Sequence, residues 1–499
     1  MPQDRSSRTG QEAIVEALQS GRASGDAAPL KRIDTHMSHL FLGPRRVYKL
    51  KRAVRHAFAD MTTLDARRRA CEAELAVNRP LAPELYEAVA PVVIGEDGAI
   101  RVGGAGEVVD FVVEMRRFED GALLSEIADA GRLTPELARA AAEVAARFHA
   151  QLPARADAGH AADYRRVIAG LRRTEAQGAA AIGASPGSAS LFDQLEHELA
   201  RRSPLIEARR EGGWVRPGHG DLHLRNICLF EGRVTPFDAL EFDPALTTTD
   251  VIYDVAFLLM DLRARGLDQL ANLAMNRYWD ASSQPEAALA LLPLFCGLRA
   301  AVRMAVAVEA GDLVEAGRYR RLGLALLAPV RPVLVAIGGL SGTGKSALAQ
   351  AIGADLPGAC GARILRSDVV RKALAGALPT ERLASEAYSP DRRAAIYRHL
   401  AERAQAAMRA GASAIVDATF QADEARSEIE RAAAGHPFAG IWLSAPTSVR
   451  LARVGARRGD ASDATPEVAA SQVEPDRLGP AWRRLDADQP LEALAAQVR

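Results

Sequence analysis

Residues 219–226 read HGDLHLRN, and a short apolar stretch downstream leads into PFDALEFD at 236–243. Moving a γ-phosphoryl group onto a hydroxyl needs a carboxylate that orients the acceptor and receives its proton. It also needs oxygen ligands for magnesium on the nucleotide side. Asp221 supplies the first and Asn226 one of the second, at the spacing of kinase catalytic loops. Asp238, reached through Val234 and Phe237, supplies the other metal ligand. His219 reads as a structural hydrogen-bonder of the loop rather than a proton shuttle.

A second phosphate-handling stretch, GLSGTGKS at 339–346, follows the apolar strand VLVAIG and opens into the helical KSALAQAIGADL. In such a loop the backbone N–H groups around Gly339, Gly342, Thr343 and Gly344 converge on phosphates. Lys345 reaches the β- and γ-phosphates and Ser346 ligates magnesium. The helix that begins at Gly344 adds its N-terminal dipole.

Further along, GARILRSDVVRKAL brings Asp368 to the end of a strand, with Arg371 and Lys372 behind it. Asp368 would orient an acceptor hydroxyl and Arg371 an acceptor anion. The strand SAIVDAT ends in Asp417, which spacing leaves open between magnesium binding and acceptor positioning. VRLARVGARRGDASDATPEV places Arg453, Arg457 and Arg458 on a helix that breaks at Gly459, as a mobile lid carrying a charge-neutralising arginine would.

At 499 residues the chain is long enough for two or three domains, and its 25% charged and 48% hydrophobic residues describe a soluble globular protein. Lys plus Arg equals Asp plus Glu at 63 each, so no global field draws nucleic acid or an anionic membrane. The cysteines (Cys71, Cys228, Cys296, Cys360) show no ligand or disulfide spacing and read as buried hydrophobes. The N-terminus has no signal-peptide pattern, and the apolar run 252–260 is half a membrane span, so a cytoplasmic protein without membrane contact is expected.

The stretch GRYRRLGLALLAPVRP closes a long helical region before VLVAIGG, which puts a domain seam near Arg331. Before it, HLFLGPRRVYKLKRAV alternates around a Gly-Pro turn as a hairpin does. TTLDARRRACEAELAVNRPL has helical spacing, and VAPVVIG, AIRV and EVVDFVVEM read as strands. A sheet-rich lobe of about 30–114 gives way near Glu114 to a helical lobe of about 115–325, with a flexible connector at 178–190.

HGDLHLRN with PFDALEFD resembles the catalytic loop and metal-binding aspartate of the aminoglycoside phosphotransferase-like kinases. That resemblance covers about 30–325 and implies a bilobal protein-kinase-like fold for a domain of about 1–325. It also implies a strand lysine that contacts the α- and β-phosphates and pairs with a helix glutamate. Lys49 of RVYKLK is favoured for the lysine, although Lys51 shares its strand face. Glu74 or Glu72 of CEAEL serves for the glutamate. No glycine-rich loop precedes Lys49, so Ser38 of THMSHLFLG is expected to help cover the phosphates.

Residues 331–499 resemble the P-loop predicted kinases, among them gluconate kinase-like, zeta toxin-like and polynucleotide kinase-like enzymes. The whole chain resembles bacterial bifunctional proteins that join an aminoglycoside phosphotransferase-like kinase to a P-loop ATP-binding domain. The expected fold is therefore an α/β and α+β two-domain protein: a bilobal kinase-like domain, then a P-loop domain with a parallel sheet.

The expected activity is ATP- and Mg2+-dependent phosphorylation of small-molecule hydroxyls at two separate sites. Basic and acidic residues nearly balance between 160 and 213, which disfavours polycationic antibiotics as acceptors. A 5′-hydroxyl polynucleotide kinase is the alternative for the second half, with arginines 363, 366, 371, 382, 392 and 393 as a basic groove. A nucleotide-sensing stress regulator with slow ATPase activity is the non-enzyme alternative. Acceptor identity and oligomeric state are left open.

Overall fold

The structure, a computed structural model, describes residues 3–55, 60–178, 190–241, 244–378, 381–456 and 461–498. The expected connector falls almost entirely outside them. Two compact units emerge, Met1–Asp163 with Ala208–Leu258, and Tyr164–Glu207 with Leu259–Arg499.

The first unit is built on six antiparallel strands: β1 (Lys31–Asp34), β2 (Ser38–Leu42), β3 (Arg46–Lys51), β4 (Tyr86–Ile94), β5 (Ile100–Val102) and β6 (Glu107–Arg116). Their order is β1-β2-β3-β6-β4-β5. The Gly-Pro turn pairs Leu42 with Val47, so β2 and β3 form the hairpin read from the sequence.

Strand alternation gives β3 two buried faces. Tyr48 and Leu50 pack with Phe41, Val112 and with Ile14 and Leu18 of the helix Gln3–Gln19. Val47 packs on the other face with Cys71 of the helix Leu64–Asn78. Period two therefore turns Lys49 and Lys51 toward that second helix as well. The helix starts where Thr63 Oγ1 accepts Ala66 N–H at 3.2 Å, a cap that satisfies one orphan donor.

Four short strands complete the unit. β7 (Val215–Pro217) pairs antiparallel with β10 (Thr248–Asp250), and β8 (Ile227–Phe230) with β9 (Arg233–Pro236). Glu231 and Gly232, at φ 48° and 73°, close the β8–β9 hairpin with the positive dihedrals that a tight two-residue turn requires.

The second unit contains a five-stranded parallel sheet: β11 (Leu334–Gly339), β12 (Arg363–Arg366), β13 (Ala414–Asp417), β14 (Phe438–Ser444) and β15 (Trp482–Asp486), ordered β12-β13-β11-β14-β15. β11 is buried along its whole length, as the central strand of a sheet covered on both faces must be.

The edge strand β12 is not left open. Asn276, on the helix Asp268–Ser282, accepts Ile364 N–H at 2.7 Å and donates to Ala362 O at 3.0 Å, and Asn272 donates to Cys360 O and Ala362 O. Side-chain amides thus replace a missing neighbour strand. Beside them Arg363 is wholly buried, with Asp280 at 2.5 Å and Glu286 at 3.1 Å. Burial opposes its charge, but the two carboxylates outweigh that and hold it above its ordinary value.

These contacts explain why the compact units cut the chain elsewhere than near Arg331: helices before residue 331 fall in the same unit as the P-loop sheet, joined to it by Asn272, Asn276, Asp280 and Glu286. They also remove Arg363 from the basic groove that a polynucleotide acceptor would need. The stretch Glu286–Glu309 is long and apolar enough by composition to cross a membrane, yet most of it is buried within this unit. All four cysteines are free thiols and buried.

Glu286 also takes Arg403 Nε at 2.8 Å. Glu286→Ala would strip Arg363 of one carboxylate while leaving it buried, which should cost about 3 kcal/mol. A clear drop in the urea midpoint of the full chain is expected; an unchanged midpoint would show the cluster to be energetically neutral.

Candidate functional site: two nucleotide sites

The first site is assembled around HGDLHLRN, between β7 and β8. Asp254, buried on the helix Val251–Ala264, accepts the N–H groups of His219 and Gly220, each at 2.8 Å, and His149 Nε2 at 2.9 Å. A Cβ on Gly218 would stand 2.7 Å from Asp254 Oδ2, so only glycine lets the loop approach this anchor. His219 Nε2 donates to Phe237 O at 2.9 Å and its carbonyl accepts Leu240 N–H at 3.0 Å, tying the loop to the Asp238 segment. Burial pushes the His219 imidazole pKa down against the pull of Asp254 and Asp221.

Within the loop Asn226 Nδ2 donates to Asp221 Oδ2 at 2.8 Å and to Asp221 O at 3.0 Å. The amide thereby fixes the Asp221 carboxylate and leaves its own Oδ1 as an acceptor. Phe237 N–H bonds Asn226 O at 2.9 Å, which brings Asp238 alongside. Asp238 has φ 59°, a left-handed conformation that Asp tolerates, and its N–H is held by Tyr86 Oη at 3.1 Å.

Lys49 Nζ lies 2.8 Å from Glu74 Oε1 and 2.6 Å from Asp238 Oδ1. Lys51 Nζ lies 2.5 Å from Glu74 Oε2 and 2.5 Å from Glu241 Oε1. The two lysines that spacing could not separate share one glutamate, and Lys49 is the one that meets Asp238. Glu72, the other helix candidate, pairs with Arg68 on the exposed side at 3.0 Å. Burial raises the Glu74 pKa, but the two ammonium groups prevail and hold it at about 2. Burial pushes the Glu241 carboxyl up. Ser38, at the start of β2, is buried, and among the described residues its Oγ has no hydrogen-bond partner, an orphaned donor of the kind a phosphate oxygen would satisfy.

The second site lies where β11 opens into the helix Lys345–Gly353. Gly342 and Gly344 adopt φ 88° and 92°; a Cβ on Gly342 would fall 2.4 Å from Arg450 O. Gly339 packs against Leu443 O and Thr343 is buried with Oγ1 on Leu340 O, so both sit behind the loop. Lys345 Nζ donates to Leu340 O at 2.9 Å, and Ser346 Oγ to Asp417 Oδ2 at 2.5 Å.

A cavity of about 770 Å³ gathers Lys345, Ser346, Asp417, Asp368, Arg371 and Arg453. Arg371 NH1 donates to Asp368 Oδ1 at 2.7 Å, and Arg453 places both guanidinium NH groups on Ala487 O at 3.0 Å. Arg457 lies outside the described residues. Magnesium that travels with a nucleotide needs only one or two protein ligands. Asn226 Oδ1 with Asp238, and Ser346 with Asp417, fit that demand. Among the described residues no three His, Cys, Asp or Glu side chains cluster to hold a metal by themselves.

Several residues escaped the sequence reading. Asp254 stood in view as an aspartate inside an apolar run, and Glu241 as the acid three places after Asp238. Asp463 is a hub of the P-loop cavity's wall, accepting Lys372 Nζ at 3.0 Å, Tyr388 Oη at 2.5 Å and Leu383 N–H at 3.1 Å. Gln472 Oε1 takes Ser341 N–H at 2.7 Å and so steadies the P-loop from the same side.

These are two candidate kinase-type sites, one on an antiparallel sheet with its helices and one on a P-loop sheet. Residues 334–475 match the AAA domain family. Over 484 residues the chain is 30% identical to the uncharacterized protein Rv2004c of Mycobacterium tuberculosis (strain ATCC 25618 / H37Rv), spanning 93% of this chain and 94% of that protein. It belongs to the same family as that mycobacterial protein.

Among solved structures, the chain is similar to a gluconokinase from Sinorhizobium meliloti 1021, with 24% identity over 33% of this chain and 89% of that one (TM-score 0.24). It is also similar to a choline kinase from Cryptosporidium parvum Iowa II, with 14% identity over 60% and 88% (TM-score 0.36).

Asp254→Ala would leave the His219 and Gly220 N–H groups buried without acceptors, at a cost of about 1–3 kcal/mol each. The variant should unfold at clearly lower urea concentration than wild type. A midpoint equal to wild type would mean that water or another group takes over the anchor.

Proposed function

We propose that the protein is a bifunctional ATP-dependent phosphotransferase, each site passing the γ-phosphoryl group of ATP to a hydroxyl of a small-molecule acceptor. The observation that carries the reading is the meeting of Lys345, Ser346, Asp417 and Asp368 around one cavity. The bond from Ser346 to Asp417 favours Asp417 as the metal-side carboxylate. That leaves Asp368 for the acceptor.

At the second site the acceptor hydroxyl oxygen forms a bond to the γ-phosphorus while the bond to the β–γ bridging oxygen breaks. ADP leaves and the hydroxyl proton passes to Asp368. Arg371 holds that carboxylate in place. At the first site Asp221 has the same role, steadied by Asn226, and Lys49 is the candidate for the α- and β-phosphates once Asp238 turns from it to the metal. Magnesium, held by Asn226 and Asp238 or by Ser346 and Asp417, would neutralise charge on the phosphate oxygens. ATP supply accords with a cytoplasmic setting.

The test keeps the full chain, because helices before residue 331 belong to the unit that holds the P-loop. Wild type, Asp221→Ala and Lys345→Ala are incubated with labelled ATP and a metabolite extract. Asp221→Ala should lose one set of labelled products by roughly 10²–10⁴-fold and keep the other; Lys345→Ala should show the converse. If either single variant abolished all labelling, two independent sites would be wrong.

A further inference from the structure

The carboxylates that line the P-loop cavity are already matched by donors of the chain. Asp368 has Arg371, Asp417 has the Ser346 hydroxyl, and Asp463 has Lys372 and Tyr388. Arg371 is engaged twice, since its guanidinium also stacks 4.7 Å from the centre of the Tyr388 ring. It is a holder of Asp368 more than a receptor for a ligand. Arg453 is spent on the Ala487 carbonyl.

Two cations on the Asp368 side of the cavity have no such commitment. Arg382 and Arg393 both line it, and among the described residues neither forms an ion pair with a carboxylate. Arg393 makes one long bond, NH2 to Tyr388 O at 3.4 Å. Arg382 is within electrostatic reach of the exposed Glu467 without pairing to it. The segment that carries them is held down at Leu383 and Tyr388 by Asp463, so the two guanidinium groups are presented from a braced support.

A solvated arginine needs no partner. The acids of the cavity each have a cation of the chain beside them, Arg371 at Asp368, Lys372 at Asp463 and Arg366 at 3.6 Å from Asp417, so two further arginines facing it leave a local excess of positive charge where an acceptor must sit. Guanidinium forks match the oxygens of phosphate, sulfate and carboxylate.

We propose that Arg382 and Arg393 form the anion subsite of the P-loop site, so that its acceptor is a hydroxyl compound carrying an oxyanion group. This rests on reading the cavity as a kinase site. It moves the anion-holding role from Arg371, which the sequence suggested, to the two arginines that the fold leaves available.

The experiment uses the full-length protein saturated with Mg·AMP-PNP, which occupies the nucleotide phosphate positions. Wild type and the Arg382→Gln/Arg393→Gln double variant are titrated by calorimetry with inorganic phosphate, sulfate, acetate and uncharged glycerol. At least one oxyanion should bind wild type, and the double variant should bind it about tenfold more weakly or worse, with its Kd for Mg·AMP-PNP within about twofold of wild type. Binding of phosphate or sulfate alone identifies a tetrahedral anion, and binding of acetate a carboxylate; either supports the subsite.

Equal oxyanion affinity in both proteins, no oxyanion binding, or a parallel loss of nucleotide affinity overturns it, the last by assigning the arginines to the triphosphate. A Lys345→Ala protein that binds as many equivalents of Mg·AMP-PNP as wild type overturns the kinase reading itself, and that outcome is separate from the others.

Discussion

Glu74 is wholly buried, and a buried carboxylate must be paired or protonated. It is paired on both oxygens, by Lys49 and Lys51, and this one requirement orders much of the first unit. Two lysines on the same face of β3 fix the strand's register against the helix Leu64–Asn78, because a shift by one residue would send both to the opposite face, where Tyr48 and Leu50 pack. Each lysine then has charge left for a second acid. Lys49 reaches Asp238 and Lys51 reaches Glu241, so the segment after β9 is drawn to the sheet by the same pair. The nucleotide side of the site is thus a chain of alternating charges from Asp238 to Glu241.

Asp254 performs a comparable task with backbone in place of side chains. Its carboxylate collects two consecutive N–H groups and an imidazole, and the loop that presents Asp221 bends around it. Asp221 itself stays outside this anchor and is held by the neutral amide of Asn226. The two carboxylates thus divide the loop between them: Asp254 fixes its backbone, and Asp221 is oriented by side chains of the loop itself, Asn226 and His223.

The parts legible in the sequence were those whose chemistry is local along the chain. GLSGTGKS and HGDLHLRN are readable because converging N–H groups or an Asp and Asn on one loop require fixed spacing. The hairpin around Gly43-Pro44 and the parallel sheet after the P-loop were legible for the same reason, through alternation and short apolar runs. What hid from the sequence depends on partners far along the chain. Neither Asn276 nor Asp280 announces that it will cover the edge of β12, and the choice between Lys49 and Lys51 has no local signature because both meet Glu74. The N-terminal helix carries Ile14 and Leu18 at helical spacing, but their value is visible only once β2, β3 and β6 offer a face to cover.

The two candidate acceptor carboxylates differ in what holds them, and this bears on what each site can accept. Asp221 is oriented by the Asn226 amide, and His223 Nε2 lies 3.3 Å from the same Oδ2. Asp368 is oriented by the Arg371 guanidinium, so the pair presents no net charge to the cavity. With Asp463 neutralised by Lys372 and Asp417 turned to Ser346, the field on that side is set by the remaining arginines. The two candidate sites therefore differ in the partner each fold gives its aspartate, an amide and an imidazole for Asp221 and a guanidinium for Asp368.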